Sequence, residues 1–376
     1  MKNIRQSHVN IHRDSWVEIN LEAAAHNVKE ICRVLPAKTK LLAVVKADAY
    51  GHGAVMLAPT LLASGVDMLG VASIDEGVDL REAKINSEIL VLGAVPVWAV
   101  ESAVSADLTI SVFSVEHLNA CRRAYERLGI KPKVHVKIDT GMNRIGILPD
   151  DAVGFIKEVQ NADFVELRGI FTHLANAQDR VKTQIQIKKW DEIISRIDTA
   201  GLLLHAANSA GLLCYDIAHT NMVRAGISVY GLLPDLPPDC ACKTLNLRQV
   251  LSLKGRIVHI HEVPVNEGVS YGHTFTAKRT IKAATVPIGY ADGVRRELSN
   301  RISGMLNGRE VPQIGNITMD QMMFDITGEG AQEGDIITLS DENNSIDNWA
   351  KILDTINYTL TCSLKVRLPR VYTRQE

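Results

Sequence analysis

The feature that most constrains the fold is a repeated pairing of a short apolar run with an amphipathic stretch, between about residues 40 and 235. The apolar runs lack strict alternation, which is typical of strands buried on both faces of a parallel sheet. About eight such units in roughly 200 residues match the size of a (β/α)8 TIM-type barrel. A doubly wound open sheet is the alternative, because sequence alone does not establish closure. The predicted strands are Leu41–Val45, Met68–Ala72, Ile89–Leu92, Leu108–Phe113, Val134–Ile138, Val165–Phe171, Leu202–Ala206 and Met222–Val223.

Helical patterns lie between these runs, and Ser73 with Glu76 predicts a capping box at the start of one helix. The clearest predicted helices are Glu116–Leu128, Ala152–Val159 and Thr183–Thr199. The Pro- and Asp-rich segment Pro234–Cys242 is typical of a linker.

Beyond the linker the pattern becomes that of a mostly β domain with one helix, Ser345–Thr355. Its predicted strands are Val250–Val263, Thr280–Pro287, Val311–Ile314, Met322–Ile326, Asp335–Leu339 and Tyr358–Val366. We therefore expect an N-terminal extension over residues 1–14, a barrel over 15–238 and a β domain over 239–376. The segment Trp16–Ile19 is expected to join the β domain as a strand.

Composition excludes several partners. The formal net charge of -2 indicates neither a nucleic acid nor an anionic membrane as partner. The longest apolar stretch, residues 89–100, contains Pro96 and is too short to span a bilayer, so we expect a cytoplasmic protein. The six cysteines show no CxxC spacing, so we expect free thiols and no metal site.

The most informative stretch runs from Ala43 to Gly53, where an apolar strand ends at Lys46 and a Gly-flanked turn follows. The C-terminal ends of barrel strands carry the chemistry of this fold. A lysine held there against apolar walls loses charge through desolvation, and its neutral amine forms a Schiff base with an aldehyde. If the Val-Val-Lys sequence stood alone, the simpler interpretation would be a lysine whose ammonium reaches solvent at the barrel rim.

The string around Lys46 resembles the cofactor-lysine motif of the alanine racemase family, and the resemblance continues from Trp16 to Tyr372. It includes Val136–Gly146, Phe171–His173, Asn208–Ser209, Val223–Ile227, Tyr230–Gly231, Val269–Thr274, Ile288–Gly293, Met319–Gln321 and Arg367–Arg370. Ordered motifs across both domains imply the family's fold, a barrel followed by a β domain. They also imply its cofactor, pyridoxal 5'-phosphate (PLP).

A racemase removes the α-proton from one face of its substrate and returns a proton to the other, which takes an electron sink and two acid/base groups. The resemblance implies that Lys46 holds PLP and serves one face, and that Tyr271 serves the other. A phenol ordinarily has a pKa of about 10, so a tyrosine base needs cations nearby.

The resemblance places Arg224 opposite the pyridine nitrogen of PLP. Because arginine keeps its proton, that nitrogen should stay unprotonated, which makes the cofactor a weaker electron sink. The phosphate is expected to bind the backbone N–H groups of Gly226 and Ile227 and the hydroxyls of Ser209 and Tyr50.

Arg144 and the backbone N–H of Met319 match groups that grip the substrate carboxylate, for which arginine is well suited. His173 matches a histidine that links Arg224 to the acid/base groups. Lys137 matches a position that is carbamylated in many family members, where the carbamate orients Arg144.

Tyr290 and Asp320 belong to the shared motifs and are expected just behind the substrate-binding groups. The family also implies a homodimer in which the β domain of one chain covers the barrel mouth of its partner, so that each active site is shared.

Two positions depart from the family pattern. Val366 occupies the usual place of a tyrosine whose hydroxyl reaches the cofactor phosphate, and Thr318 replaces a frequent cysteine. The first change removes a hydrogen bond and leaves a smaller, apolar pocket wall. A serine or broad-specificity racemase is therefore an alternative to an enzyme that makes D-alanine for bacterial cell-wall peptidoglycan.

Two further alternatives belong to other classes. PLP-dependent decarboxylases resemble this architecture but place a carboxylate, not an arginine, at the pyridine nitrogen, so Arg224 argues against them. Non-catalytic PLP-binding proteins resemble the barrel alone, so a second domain that carries Tyr271 and Met319 argues against that class.

Overall fold

A computed structural model describes residues 12–238, 240 and 244–374. The chain forms two compact units. The barrel unit comprises Ala24–Ala49 and Ala54–Leu247, and the β unit comprises the chain up to Ala23, Tyr50–Gly53 and the chain from Arg248 onward.

The barrel unit contains eight parallel strands, as predicted. They are β2 (Lys40–Val44), β3 (Met68–Val71), β4 (Glu88–Val91), β5 (Thr109–Val112), β6 (Lys133–Lys137), β7 (Glu166–Phe171), β8 (Leu203–His205) and β9 (Met222–Ala225). Neighbours follow chain order from β2 to β8, and β9 pairs with β2. The backbone N–H of Asn221 donates to the carbonyl of Leu204 at 2.9 Å, and that of Arg224 donates to the carbonyl of Ala207 at 3.1 Å. These bonds join β8 to β9, so they favour a closed barrel over an open sheet.

The helices are α1 (Leu21–Val34), α2 (Lys46–Gly51), α3 (Ala54–Ala63), α4 (Ile74–Glu82), α5 (Val100–Ser105), α6 (Val115–Leu128), α7 (Pro149–Asn161), α8 (Arg180–Ile194), α9 (Ser209–Cys214), α10 (Ile346–Ile352) and α11 (Asn357–Ser363). Several begin at a side chain that accepts from a backbone N–H of the first turn, as at Ser73, Ser114, Asp179 and Asn208. The predicted helices correspond to α6, α7 and α8.

The β unit contains a nine-stranded sheet and a two-stranded ribbon. Its strands are β1 (Ser15–Asn20), β10 (Leu251–Arg256), β11 (His259–Val263), β12 (Gly268–Val269), β13 (Phe275–Thr276), β14 (Ile281–Val286), β15 (Ser303–Leu306), β16 (Arg309–Ile314), β17 (Met322–Asp325), β18 (Ile336–Ser340) and β19 (Arg370–Thr373). The order in the large sheet is β11-β14-β17-β16-β15-β18-β10-β1-β19. Within it, β1 pairs antiparallel with β10 and parallel with β19.

Two predicted elements of the β unit differ from the structure. The run Val250–Val263 divides into β10 and β11. The run Tyr358–Val366, predicted as a strand, begins with helix α11, in which Leu360 and Thr361 are buried. Its apolar and β-branched residues fit the two-residue period of a strand as well as the 3.6-residue period of a helix. The sequence patterns did not predict the short strands β12, β13, β15 and β19.

The expectation of free thiols is wrong for one pair of cysteines. Cys214, at the end of α9, forms a disulfide with Cys240 across a separation of 26 residues. Free thiols are found at Cys32, Cys121 and Cys362. The predicted linker Pro234–Cys242 is only partly described, since residues 239 and 241–243 lie outside the described residues, as do residues 1–11 of the predicted extension. None of the described helices is long and apolar enough to cross a membrane.

Candidate active site

Lys46 lies two residues after the end of β2 and begins a turn with an unusual backbone. Residues 47–50, which all carry a Cβ, have φ values of +52° to +53°, so this part of α2 is a turn of left-handed helix. That conformation costs roughly 1–2 kcal/mol per residue, and such strain is concentrated at functional sites. At Gly51 a Cβ would collide with the carbonyl oxygen of Thr361, so the turn also needs a glycine there.

Two contacts hold the backbone on either side of Lys46. The hydroxyl of Tyr230 donates to the carbonyl of Val44 at 2.7 Å. The carboxylate of Glu76 accepts from the backbone N–H of Ala47 at 2.7 Å and from that of Ala72 at 2.7 Å. Glu76 therefore does not close the predicted capping box, although Ser73 does accept from its N–H. The carboxylate instead secures the peptide next to Lys46, a role that the sequence analysis missed.

Arg224, at the third position of β9, lies in the barrel interior with only 3% of its surface exposed. Its Nη1 donates to Nδ1 and the carbonyl of His205, and its Nη2 donates to Nδ1 of His173 and to the carbonyls of Thr172 and Ala206. Burial lowers the pKa of Arg224 to about 9, which leaves it a cation at neutral pH. No carboxylate among the described residues forms an ion pair with it.

His173 lies among four cations of the barrel unit. Burial lowers its pKa well below the ordinary value, and the charges of Arg224, Lys137, Arg144 and Lys46 act in the same direction. His173 is therefore neutral, and its Nδ1 accepts from Arg224 at 3.1 Å. The structure thus gathers these predicted residues at one end of the barrel strands.

Lys137, the last residue of β6, is 4% exposed, with its ammonium 5.2 Å from the centre of the Phe171 ring. Burial, followed by the charges of Arg144 and Arg224, lowers the pKa of Lys137 to about 7. The Arg224 guanidinium lies 5.4 Å from the same ring, which stacks on His205 at 4.8 Å. Both basic groups therefore lie within reach of the Phe171 ring, whose face attracts a positive charge.

Asp139 organises the loop that carries Arg144. Its carboxylate accepts backbone N–H groups of Gly141 (2.9 Å), Asn143 (2.9 Å) and Arg144 (3.0 Å). Burial opposes its ionisation, but these donors outweigh burial and lower the pKa of Asp139. The Arg144 side chain is exposed. Asp139 was also missed by the sequence analysis, although it lies in the shared motif around Lys137.

Ser209 and Gly226 meet where two loops leave the barrel strands. Ser209 begins α9, and its hydroxyl accepts from the backbone N–H of Gly226 at 3.0 Å. Ile227, which follows, begins a 3-10 turn and is fully buried. A hydroxyl and successive N–H groups at the starts of two helical turns are donors suited to an anion.

Three predicted residues of the β unit lie on exposed loops. Tyr271 is 75% exposed, Met319 53% and Tyr290 41%. The side-chain amide of Asn316 donates to the carbonyl of Tyr271 at 2.6 Å, and the hydroxyl of Ser270 donates to the carbonyl of Asn316 at 2.7 Å. The loop before Met319 is thus bonded to the segment that carries Tyr271.

Tyr50 and Asp320 also belong to the β unit. Tyr50 is 6% exposed, and burial, with the neighbouring Tyr358 and Cys362, raises its pKa, so its hydroxyl stays protonated. The Asp320 carboxylate accepts from Nη2 of Arg367 at 2.7 Å. Among the described residues, no group of three or more His, Cys, Asp or Glu side chains is arranged as a metal site.

A parallel barrel that carries a lysine just beyond one strand and a buried arginine on another, together with a β unit, is the architecture of the PLP-dependent amino-acid racemases, and this chain is one of them. The profile described as alanine racemase, N-terminal domain, matches residues 19–234, and the C-terminal domain profile matches residues 250–372. The chain belongs to the alanine racemase family, whose cofactor is pyridoxal 5'-phosphate.

Individual relatives agree with this assignment. An alanine racemase of Methanococcus maripaludis is 40% identical over 369 residues, covering 95% of this chain and 98% of its own. Among solved structures, alanine racemase of Clostridium difficile 630 has a TM-score of 0.90 at 38% identity, covering 96% of both chains. That of Bacillus anthracis, solved with bound L-Ala-P, has a TM-score of 0.86 at 35% identity and also covers 96% of both chains.

Proposed function

We propose that the protein interconverts L-alanine and D-alanine by a two-base mechanism, with PLP attached to Lys46. The observation that carries this proposal is Arg224, a buried cation whose hydrogen bonds to the described residues go only to carbonyl oxygens and imidazole nitrogens. These bonds all come from Nη1 and Nη2, which leaves Nε as the donor for a pyridine nitrogen. A decarboxylase of this architecture would need a carboxylate at that position.

The barrel residues fit the cofactor. The Ser209 hydroxyl and the N–H groups of Gly226 and Ile227 offer donors to a phosphate, and Ser209 already lies 3.0 Å from the N–H of Gly226. Tyr50 is the proposed fourth donor, because its raised pKa keeps the hydroxyl protonated. When bound, PLP withdraws electrons from the substrate α-carbon and so weakens its bond to hydrogen.

The chain's own groups then move the proton. Nζ of Lys46 accepts or returns the α-proton on one face of the substrate, and the phenolic oxygen of Tyr271 does so on the other. The strained turn after Lys46 and the Glu76 contact to Ala47 hold the lysine in place. His173 stays neutral and orients Arg224 by accepting from Nη2.

Arg144 and the Met319 N–H are proposed to bind the substrate carboxylate. The cations around His173 favour an anionic ligand, and Asp139 holds the Arg144 loop through three backbone bonds. The related Bacillus anthracis enzyme was solved with L-Ala-P, which supports a ligand of alanine size. Tyr290 and Asp320 flank Met319 and are proposed to shape this part of the site.

Carbamylation of Lys137 is a further part of the proposal. With a pKa of about 7, much of the Lys137 amine is neutral at physiological pH, and a neutral amine attacks carbon dioxide. The new N–C bond forms as one proton is released, and the resulting carbamate would accept hydrogen bonds from Arg144. Carbon-13 NMR of protein equilibrated with labelled bicarbonate tests this point, and absence of a carbamate signal would contradict it.

We propose a homodimer with active sites shared between chains. In the single chain Tyr271 is 75% exposed, Met319 53% and Val366 94%, whereas proton transfer at carbon requires a site from which water is excluded. A second chain that covers these residues would supply that exclusion.

Serine or a broader range of amino acids is a second candidate substrate, because the exposed Val366 is smaller than the tyrosine that it replaces. Chiral analysis of reactions with L-alanine, L-serine and L-lysine distinguishes the candidates. We expect alanine to be racemised fastest. Formation of an amine and carbon dioxide would instead indicate a decarboxylase, and no reaction with any amino acid would indicate a PLP-binding protein.

The cellular role is proposed as supply of D-alanine for cell-wall peptidoglycan from the cytoplasm. Expression in a bacterium that requires added D-alanine tests this role, and failure to restore growth would count against it.

The domain limits 15–238 and 239–376 also stay proposals, and limited proteolysis would test them.

A further inference from the structure

A buried carboxylate, Asp292, lies among loops of the β unit that carry proposed site residues. It is fully buried, and its Oδ1 pairs with Nη2 of Arg13 at 2.5 Å and with Nε of Arg367 at 3.0 Å. Arg367 in turn bonds Asp320 through Nη2 at 2.7 Å. Arg13, Asp292, Arg367 and Asp320 thus form a chain of alternating charge, called here the charge chain.

The charge chain holds the peptide of Met319 from two directions. Oδ2 of Asp292 accepts from the N–H of Gly289 at 2.9 Å. The same loop donates from Tyr290 N–H to the carbonyl of Thr318 (3.0 Å) and from Ala291 N–H to that of Met319 (3.0 Å). From the other direction, Arg367 holds the side chain of Asp320, the residue that follows Met319.

The loop that contains Gly289 and the loop that contains Met319 pack too closely for one to shift without the other. A Cβ at Gly289 would collide with the carbonyl oxygens of both Thr318 and Met319, so backbone packs directly on backbone. The backbone carbonyl of Asp292 also accepts a hydrogen bond from the N–H of Lys365 at 2.9 Å. This bond connects Asp292 to the segment that leads to Val366. A shift of Asp292 is therefore transmitted to the Met319 peptide.

Arg13 is the member of the charge chain that lies outside the motifs shared with the family. Its side chain is 15% exposed, and it also donates to Ser15 Oγ at 2.8 Å and to the Pro287 carbonyl at 3.2 Å. It precedes the region matched by the N-terminal family profile, residues 19–234. A buried carboxylate is costly unless it is paired, so loss of Arg13 leaves Asp292 under-compensated.

We propose that Arg13 and Asp292 are positioning residues for the substrate carboxylate. They hold the backbone N–H of Met319 in the orientation in which it donates to that carboxylate. This inference rests on the proposed function, because it needs Met319 as a carboxylate ligand. Arg13, which precedes β1, then contributes to substrate binding, although it does not touch the substrate.

The test compares Arg13→Gln with Asp14→Asn in the PLP-loaded, full-length enzyme. Asp14 is the matched control, because it is the next residue and its pair with Arg256, at 3.8 Å, is exposed. The measurements are KM and kcat for L-alanine, thermal unfolding, and the dissociation constant of propionate, which carries the carboxylate of alanine without its amine.

Arg13→Gln should raise both KM and the propionate dissociation constant about tenfold with kcat little changed, the pattern of lost uniform binding. Asp14→Asn should change neither. Unchanged propionate binding in folded Arg13→Gln overturns the inference, even if its unfolding temperature falls, because the role would then be structural only.

If Arg13→Gln does not fold, Asp320→Asn tests the exposed end of the charge chain. The Asp320 side chain is 55% exposed, so its substitution leaves no buried charge unpaired. The same loss of propionate binding is expected, and unchanged binding overturns the inference. Failure of the proposed function would look different, because the unsubstituted chain would then racemise no amino acid in the panel.

Discussion

Nη1 of Arg224 donates a hydrogen bond of 2.9 Å to Nδ1 of His205. A guanidinium has no acceptor, so Nδ1 of His205 carries no hydrogen and its Nε2 must carry one. Nε2 lies 2.8 Å from Nδ1 of His135 and therefore donates to it. Both imidazoles are neutral, and burial lowers the pKa of His135 to about 3 and that of His205 well below its ordinary value.

This network predicts a pH dependence of stability. Below about pH 6.5 the unfolded chain protonates its histidines, whereas His135 stays neutral in the fold down to about pH 3. The free energy of unfolding should therefore fall as pH drops from 6.5. Each such histidine contributes about 1.4 kcal/mol per pH unit in that range.

Urea unfolding at pH 7.5 and 5.5 measures the effect. When the pH is lowered from 7.5 to 5.5, the free energy of unfolding should fall by about 1.4 kcal/mol less in His135→Asn than in the unsubstituted chain. Exposed His261→Asn is the control and should match the unsubstituted chain. An equal loss in His135→Asn would mean that His135 is protonated in the fold.

Lys46→Ala should remove the visible absorbance of bound PLP and abolish racemisation, because no other group is proposed to form the covalent bond to the cofactor. Spectra of the purified variant and chiral analysis of its products measure this. Lys40→Ala, on the exposed first residue of the same strand, should keep both properties. Full turnover by Lys46→Ala would refute the assignment.

Tyr271→Phe should slow racemisation in both directions by about a hundredfold or more, since one acid/base group is lost. Lys46 remains, so the variant should still exchange the α-proton of one enantiomer, expected to be D-alanine, with deuterated solvent. Proton NMR follows the exchange, with Tyr125→Phe on α6 as control. Equal exchange of both enantiomers would contradict opposite faces for the two bases.

Val366→Tyr should narrow the substrate range toward alanine and tighten PLP retention. A hydroxyl that reaches the phosphate adds a charge-assisted bond worth roughly 1.5–3 kcal/mol. The ratio of alanine to serine rates and the PLP dissociation constant measure the two effects. Val265→Tyr, on an exposed turn of the same unit, serves as control, and a ratio that matches this control would place Val366 outside the pocket.

Mixing Lys46→Ala with Tyr271→Ala tests the shared site. If each site takes Lys46 from one chain and Tyr271 from the other, a mixed dimer contains one intact site. Random pairing makes half the dimers mixed, so activity should return to about a quarter of that of the unsubstituted enzyme. Tagged co-purification verifies that mixed dimers form, and mixed dimers without activity would exclude sharing.

The amino-acid sequence by itself determined the eight parallel strands and the lysine that lies just beyond β2, whereas closure of the sheet into a barrel needed the structure. These follow from local patterns, because strands buried on both faces are continuously apolar and a charged residue at such a strand end is conspicuous. The same logic failed over Tyr358–Val366, where a short mixed run fits both the strand and helix periods and tertiary packing selects α11.

Only the tertiary structure decided how distant residues are combined. His135, His205 and Arg224 lie on three different strands, and Arg13 pairs with Asp292, which lies 279 residues later in the sequence. Cys214 and Cys240 likewise become partners only when α9 and the following loop are folded. Such pairings carry no local signal, because hydrogen bonds and ion pairs depend on distances that long-range packing sets, whereas periodicity reports only which face of an element is buried.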